Sequence, residues 1–465
     1  MLAALLLIAG PAAAQKAEQR LAQKVQAAVG KAGKSTRVGV VVRNLKTGAT
    51  VFEQNGGEML KPASVLKLFT TAAALLRLGP DFHFETALYR VNDELWVIGG
   101  GDPGLADERL LEKYKRPRDA VIQDWIRAIK AAGDSAPIRA IVVDDSIFDR
   151  EFRHPSWPAD QNVRWYQAPV GGLNFNDNCL DSAVAVEKGR LMLSLTPALP
   201  ASMIENRLSM GKQHTAIVKR DPGSDVFVFS GAVAKAGGFE SVAVNEPTIF
   251  FASAFAEALR GAGVALSPEL RLLRQQIRPA LLEGRRPLHV HKTSLLDCVW
   301  RANTFSQNLF AEALLKSLAA YGPGGRREPA PGSFAGGTRA VADALARAGV
   351  DLKGGTLVDG SGLSHDNRVS AAQIVRLLQV MHGEAVGRAF RDSLAEPGSD
   401  GTLKRRYGDA AFKGALRAKT GTIQGVSGLA GYVTRPDGTE LAFAVLANGP
   451  AAADIPPQVA RALAE

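Results

Sequence analysis

Cysteine is nearly absent: Cys179 and Cys298 are the only two in 465 residues, and they stand in no metal-binding or redox spacing. A disulfide framework is therefore not what holds the chain together, and two buried thiols are the expected state. With 46% hydrophobic residues the chain has enough apolar surface for real cores, and its length suggests two to four domains. Histidine is also sparse, with seven residues. His289 and His291 can share one face of a strand, but no further ligand cluster accompanies them, so no metal site is expected. No Gly-x-Ser-x-Gly elbow occurs, which argues against a hydrolase built on the usual serine triad. Beyond residue 14 no long apolar run appears, and the alanine-rich C-terminus carries no basic amphipathic anchor, so no transmembrane anchor is expected. The net charge of +10 and pI near 9.6 are compatible with an anionic polymer as partner. Yet the basic residues are spread out, with short clusters such as Arg285-Arg286 and Lys404-Arg405-Arg406, and no nucleic-acid-binding signature accompanies them. Nucleic acid is not an expected partner.

Residues 1–14 form a short apolar run with small residues at Ala12 and Ala14, the pattern of a cleaved secretory signal peptide. A periplasmic or otherwise secreted mature protein follows from that reading. Residues 16–35 predict a helix. Residues 36–43 and 49–52 alternate as strands around an Asn44–Gly48 turn. Strands are predicted at 84–89, 94–98 and 138–143, a helix at 120–132, and an irregular loop at 153–178. Gly99-Gly100-Gly101-Asp102-Pro103-Gly104 matches a dinucleotide-loop spacing, but no helix begins cleanly through Asp-Pro-Gly, and a strand-ending turn is expected. Short alternating segments over 180–245 predict a small β domain. Helices are expected at 247–262 and 371–382, with an antiparallel set at the C-terminus.

The chemistry begins at Ser64. Pro62 and Gly79-Pro80 bracket a run that is apolar almost all the way round, so the helix is expected to be buried. Ser64 and Lys67, three apart, share a face of it. A lysine desolvated there is pushed toward the neutral amine and can accept a proton from the hydroxyl. The alternative is that Ser64 caps the helix and Lys67 snorkels to water. Ser209-Met210-Gly211-Lys212 fits the same pattern in a polar stretch, and Lys46-Thr47-Gly48 repeats a later motif within a hairpin turn. Ser306-x-Asn308 precedes an apolar helix, where the alternative is again helix capping, and Lys419-Thr420-Gly421-Thr422 opens a strand-like segment. Ser-x-x-Lys, Ser-x-Asn and Lys-Thr-Gly in this order are the signature of β-lactamases and penicillin-binding proteins.

On these motifs, together with Gly100-Gly101-Asp102-Pro103, residues 303–312 and Asp359-Gly360-Ser361-Gly362-Leu363-Ser364, the chain resembles the D-alanyl-D-alanine carboxypeptidase/endopeptidase family of low-molecular-mass penicillin-binding proteins (class C, peptidase family S13). The roughly 240 residues between Ser64 and Ser306 exceed what one such domain needs. The resemblance implies an α/β penicilloyl-serine transferase fold with two nested inserted domains. Residues 15–89 and 289–465 would form the DD-peptidase domain, 90–178 and 246–288 an inserted domain, and 179–245 a β-rich domain nested within it. It implies Ser64 as nucleophile, Lys67 as base and Ser306 as proton relay. Asn308 would bind the substrate amide, Lys419 and Thr420 the terminal carboxylate, and Gly421 and Thr422 would continue the substrate-binding strand. The backbone N–H groups of Ser64 and Thr422 would form the oxyanion hole. The implied partners are peptidoglycan stem peptides and β-lactam antibiotics, with no cofactor and no metal. Rival readings are a β-lactamase or esterase on the same fold and a non-catalytic peptidoglycan-binding protein. The acidic turn at 144–149 is a candidate reader of a cationic stem-peptide side chain, and Glu328 is the one carboxylate in the 322–329 loop, where a lactamase would need its water-activating base.

Overall fold

The computed structural model describes residues 11–406, 412 and 414–465, so the predicted leader falls mainly outside the described residues. The chain divides into two compact units, one of residues 1–73, 303–306 and 342–465, the other of 74–302 and 307–341.

The first unit is built on a five-stranded antiparallel sheet in the order Leu416–Ile423, Val426–Thr434, Glu440–Asn448, Arg37–Asn44, Thr50–Gln54. Its middle strands are buried almost end to end because both faces are covered. On one face Val40, Val42, Phe443 and Val445 pack with Leu21 and Val25 of the helix Pro11–Gly30 and with Val459 and Leu463 of Ile455–Ala464. The helix Ala371–Gly383 packs on the same strands without joining that cluster, so it covers the other face. A capping box starts it, with Ser370 Oγ accepting from Gln373 N and Gln373 Oε1 from Ser370 N, at 3.1 and 3.0 Å. The first helix begins and ends about five residues earlier than the periodicity suggests.

The second unit holds a mixed five-stranded sheet in the order Leu266–Arg274, Ile138–Asp144, Glu94–Ile98, His83–Val91, His289–Ser294. The helices Ala120–Ala131 and Pro247–Gly261 bury Trp125 among Phe251 and Phe255, with edge-on ring contacts at 5.8 and 5.4 Å. The predicted β-rich stretch is present as two small sheets, one of Ile204–Met210, Phe227–Val233 and Ile217–Arg220, the other centred on Cys179–Glu187.

The glycine-rich run at 99–104 is a strand-ending turn. Asp102, buried within it, accepts from Gly104 N at 2.7 Å and Thr293 Oγ1 at 2.8 Å, and a Cβ at Gly100 would strike the Glu85 carbonyl. The next helix begins only at Glu108, capped by Asp107. Burial lifts Asp102 to about 7 and pulls nearby His291 down to about 4, so their 3.8 Å approach is not an ion pair between those pH values.

Candidate active site

The predicted Ser64 helix is two pieces, a 3-10 turn Ala63–Leu66 running into the α-helix Lys67–Leu78. Ala63 holds φ +47° immediately before the serine, a conformation costing about 1–3 kcal/mol in a non-glycine residue. Its carbonyl is held against Gly362 (φ +80°), where no Cβ could fit. Ser64 is half-buried, whereas Lys67 is wholly buried and does not snorkel. The Lys67 amine donates to Ser64 Oγ at 3.0 Å and to the Ser361 carbonyl at 2.9 Å. The loop carrying Ser361 is wound around Asp359, whose two oxygens accept from Gly362 N at 2.8 Å and Ser364 N at 2.7 Å. Thr70 Oγ1 pins it to the helix through the Gly360 carbonyl at 2.8 Å. In the sequence this segment reads only as a turn-rich loop and a family marker; its carbonyl acceptor for Lys67 carries no side-chain signature.

The second motif follows the helix Leu295–Thr304. Asn303 Nδ2 donates to Thr71 Oγ1 at 3.1 Å and to Ser393 Oγ at 2.8 Å, and Thr304 Oγ1 to the Ser393 carbonyl at 2.7 Å. These bonds fasten the chain before Ser306 to the Ser64 helix. Ser306 itself is half-buried at φ +61°, a second strained non-glycine residue at a motif serine. Asn308 lies in the second unit, at the start of Asn308–Ala320, and its Nδ2 donates to the Tyr166 carbonyl at 2.8 Å. Beside it Gln307 Nε2 donates to Asp177 at 2.8 Å, and Asp177 shares the buried Arg301 with Asp107. Burial, then Asp107, raises the Asp177 carboxyl, and Arg301 opposes that rise.

The third motif occupies the edge strand Leu416–Ile423. Ala418 N donates outward to the Ala395 carbonyl at 3.0 Å, so by the two-residue alternation the peptide groups of Thr420 and Thr422 face that same outer edge. Lys419 and Gly421 share the opposite side-chain face from the two threonines. A Cβ at Gly421 would lie 2.7 Å from the Pro62 carbonyl, 3.0 Å from Val65 N and 3.1 Å from Ser64 N, so the strand backbone rests directly on the turn that carries Ser64. Asn448 clamps that turn's approach, accepting from Lys61 N at 2.9 Å and donating to Lys61 O at 3.1 Å. Lys419 is fully buried with its amine donating to the Thr420 carbonyl at 2.8 Å. Burial holds it well below the usual lysine range, and the charges of Lys67 and Arg406 push it further the same way. A bound anion would reverse that push and favour the ammonium form.

Within the first unit a serine, an adjacent amine, an anion-seeking lysine and an outward-facing strand edge therefore meet, the equipment for acyl transfer at a substrate bearing a carboxylate. Gly421→Val should lower the rate of penicillin acylation by about 100-fold, because displacing reacting groups by about 1 Å has that effect. Thermal stability, measured alongside, should fall by the roughly 1–3 kcal/mol that overpacking against backbone costs, with the protein still folded at the assay temperature. Acylation at the parent rate would mean that the strand does not set the geometry of Ser64.

The other sequence candidates lie elsewhere. Ser209 and Lys212 are exposed, and Lys46-Thr47-Gly48 is a surface turn organised by Asn44 Oδ1 accepting from Lys46 N and Thr47 N at 3.0 and 3.2 Å. The carboxylates of the acidic turn at 144–149 already have partners within the protein. Asp144 accepts from Ile277 N at 2.8 Å, Asp145 pairs with Arg274 at 2.6 Å, and Asp149 with Lys316 at 2.7 Å. Glu328 approaches Arg326 at 4.0 Å. Cys179 and Cys298 are buried free thiols, and burial raises both.

A model of the D-Ala-D-Ala carboxypeptidase 3 (S13) family matches residues 21–465. The D-alanyl-D-alanine carboxypeptidase of an Actinomadura species is 31% identical over 444 residues, 88% of this chain and 77% of that protein. The D-alanyl-D-alanine carboxypeptidase DacB of Haemophilus influenzae is 26% identical over 449 residues, covering 92% of this chain and 88% of its own length. Among solved structures, penicillin binding protein 4 (dacB) from Haemophilus influenzae superposes with a TM-score of 0.76 at 23% identity, over 94% of this chain and 98% of that one. Similarity thus extends across both units.

Proposed function

The chain belongs to the D-Ala-D-Ala carboxypeptidase 3 (S13) family, and on that footing we propose that it is a serine DD-peptidase that cleaves peptidoglycan stem peptides through an acyl-enzyme on Ser64. The observation that carries this reading is the buried Lys67 amine, 3.0 Å from Ser64 Oγ and anchored on Ser361 O, beneath the strand that bears Lys419. Lys67 takes the Ser64 hydroxyl proton as Oγ forms a bond to the carbonyl carbon between two D-alanines. The N–H groups of Ser64 and Thr422 stabilise the resulting oxyanion, an effect of about 3 kcal/mol per donor. The amine leaves with a proton relayed through Ser306, and water then breaks the ester to regenerate Ser64. Asn308 bonds the substrate amide. Lys419 and Thr420 hold the terminal carboxylate while Gly421 keeps the strand close. No cofactor enters these steps.

In this reading the mature protein is secreted or periplasmic, in keeping with its cell-wall substrate; among the described residues no helix is long and apolar enough to cross a membrane. The peptidase domain is interrupted by an inserted domain with 179–245 nested inside; because the strands His83–Val91 and His289–Ser294 belong to the inserted domain's sheet, its borders lie outside the expected 90 and 288. The strands between 179 and 243, which pair in ladders among themselves, support that innermost division.

Incubation with defined muropeptides, followed by mass measurement, should show loss of a terminal D-alanine or opening of a D-alanyl cross-link. Penicillin should leave an adduct on the intact protein that persists for minutes or longer. Return to the free mass within seconds, with continuing penicillin turnover, would favour a β-lactamase. No adduct and no cleavage would favour a binding protein.

A further inference from the structure

The helix that opens at Asn308 is tied down by a chain of polar bonds lying wholly within the second unit. Arg301 Nε donates to both oxygens of Asp107 at 2.9 Å, and its Nη2 donates to Asp177 Oδ2 at 3.1 Å. Gln307 Nε2 donates to the same Asp177 oxygen at 2.8 Å, while Gln307 Oε1 accepts from Asn308 N at 3.0 Å. Asp177 Oδ2 is an acceptor toward Arg301, so it is an acceptor toward Gln307 as well. That fixes the sense of the Gln307 amide, with its nitrogen toward Asp177 and its oxygen toward Asn308. Asn308 Nδ2 in turn donates to the Tyr166 carbonyl, so the residue is held by its backbone and by its side chain. The Arg301 guanidinium also lies over the ring of Phe310, two residues further on, 5.0 Å from its centroid.

Asp177 is held in this chain against two local preferences. Asn176, Asp177 and Asn178 all have left-handed backbones, with φ +51°, +54° and +50°, a conformation that Asn and Asp adopt singly but seldom in a run. The run is pinned by the Leu105 carbonyl, which accepts from Asn176 N at 3.1 Å. Asn178 Nδ2 pins it further by donating to the Pro169 carbonyl and to Asn174 Oδ1, both at 2.7 Å. Asp177 also brings a second carboxyl to an arginine that Asp107 already neutralises, and burial and then Asp107 raise it. A tether that served stability alone would need neither the strained run nor the second acid. We propose that Asp177 is a positioning residue for the peptidase reaction: acting through Gln307, it sets the orientation of Asn308 toward the substrate amide. The inference rests on the role proposed above for Asn308. Without Asp177 the Gln307 amide can turn its nitrogen toward Asn308 N, so that two donors face each other and the start of the helix is released.

The test compares second-order acylation by benzylpenicillin, which carries an acylamino group, with acylation by aminopenicillanic acid, which has a bare amine in its place. A residue that orients Asn308 matters only to the first, whereas general damage slows both alike. Asp177→Gly removes the carboxyl where glycine accepts the left-handed backbone freely, and Gln307→Met breaks the relay at its other end. In each, as in Asn308→Ala, the ratio of the two rates should fall about tenfold, the loss expected for a charge-assisted hydrogen bond. Asp177→Asn keeps an oxygen that accepts from Gln307, so its ratio should stay within about threefold of the parent. Adding Asp177→Gly to Asn308→Ala should lower the ratio no further, because both act on one contact. A parent-like ratio in Asp177→Gly and Gln307→Met, with a lowered one in Asn308→Ala, overturns the positioning role alone. A parent-like ratio in Asn308→Ala removes the amide contact and the positioning role with it. If the parent protein forms no adduct with benzylpenicillin, the peptidase reading itself has failed.

Discussion

Ser64→Ala should be silent to labelled penicillin and should lose at least about 10,000-fold in peptidase turnover, the scale on which removal of an activated nucleophile is felt. The fold should survive, since Ser64 is half-buried and the turn around it is held by Gly362, Gly421 and Asn448 rather than by its hydroxyl. Peptide mapping of the labelled parent protein should place the adduct on the segment containing Ser64. An adduct on the segment containing Ser209 would transfer the nucleophile to the other Ser-x-x-Lys pair, although Ser209 and Lys212 stand exposed with nothing to desolvate the amine.

Lys67→Met should lower the second-order rate of penicillin acylation by about 100- to 10,000-fold, the usual contribution of a positioned base. Methionine follows the path of the lysine stem and takes the charge out of a wholly buried position, so unfolding should change less than the rate does. Ser361 O and Ser64 Oγ each lose one donor in the exchange. A second readout separates removal of the base from general damage. Lys67 is one of the charges that depress Lys419, so its replacement should move Lys419 back toward the ordinary lysine range. Over the pH range in which the parent's Lys67 is an ammonium, Lys419 should stay protonated to higher pH in the variant than in the parent; where Lys67 is the neutral amine that serves as base, it exerts no such push. Carboxylate-ligand binding followed against pH should therefore weaken at higher pH in Lys67→Met than in the parent. A base-side limb at the parent position, with acylation at the parent rate, would remove Lys67 from the mechanism.

The three motifs were legible because each is a local arrangement of side chains. Three residues of helical spacing put Ser64 beside Lys67 whatever the rest of the chain does, and the apolar run around them foretold the burial of Lys67. Lys419-Thr420-Gly421 could be placed on a strand for the same reason, and the glycine now has a cause in the carbonyl of Pro62 that it nearly touches. What stayed hidden rests on the backbone or on distant pairing. The Ser361 carbonyl has no side-chain signature, and Asn448 reaches Lys61 across almost the whole chain. The acidic turn was misread for a related cause: composition shows three carboxylates close together but not Arg274, Lys316 and the Ile277 amide that occupy them. Helix ends were read less well than helix interiors, as with Pro11–Gly30. The left-handed conformations at Ala63 and Ser306 were not foreseeable, since neither residue type favours them.

The central sheet pairs Arg37–Asn44 with Glu440–Asn448, and roughly 360 residues separate Gln54 from Leu416. Closing a loop of that length costs about 5 kcal/mol in chain entropy beyond the constant for any closure, and it delays every pairing that depends on it. Ser64 and Lys67 are synthesised roughly 350 residues before the strand that packs on their turn. Topology thus acts as a clock. A chain still emerging holds Ser64 and Lys67 without the strand Leu416–Ile423, so the arrangement proposed for catalysis is complete only when that strand docks.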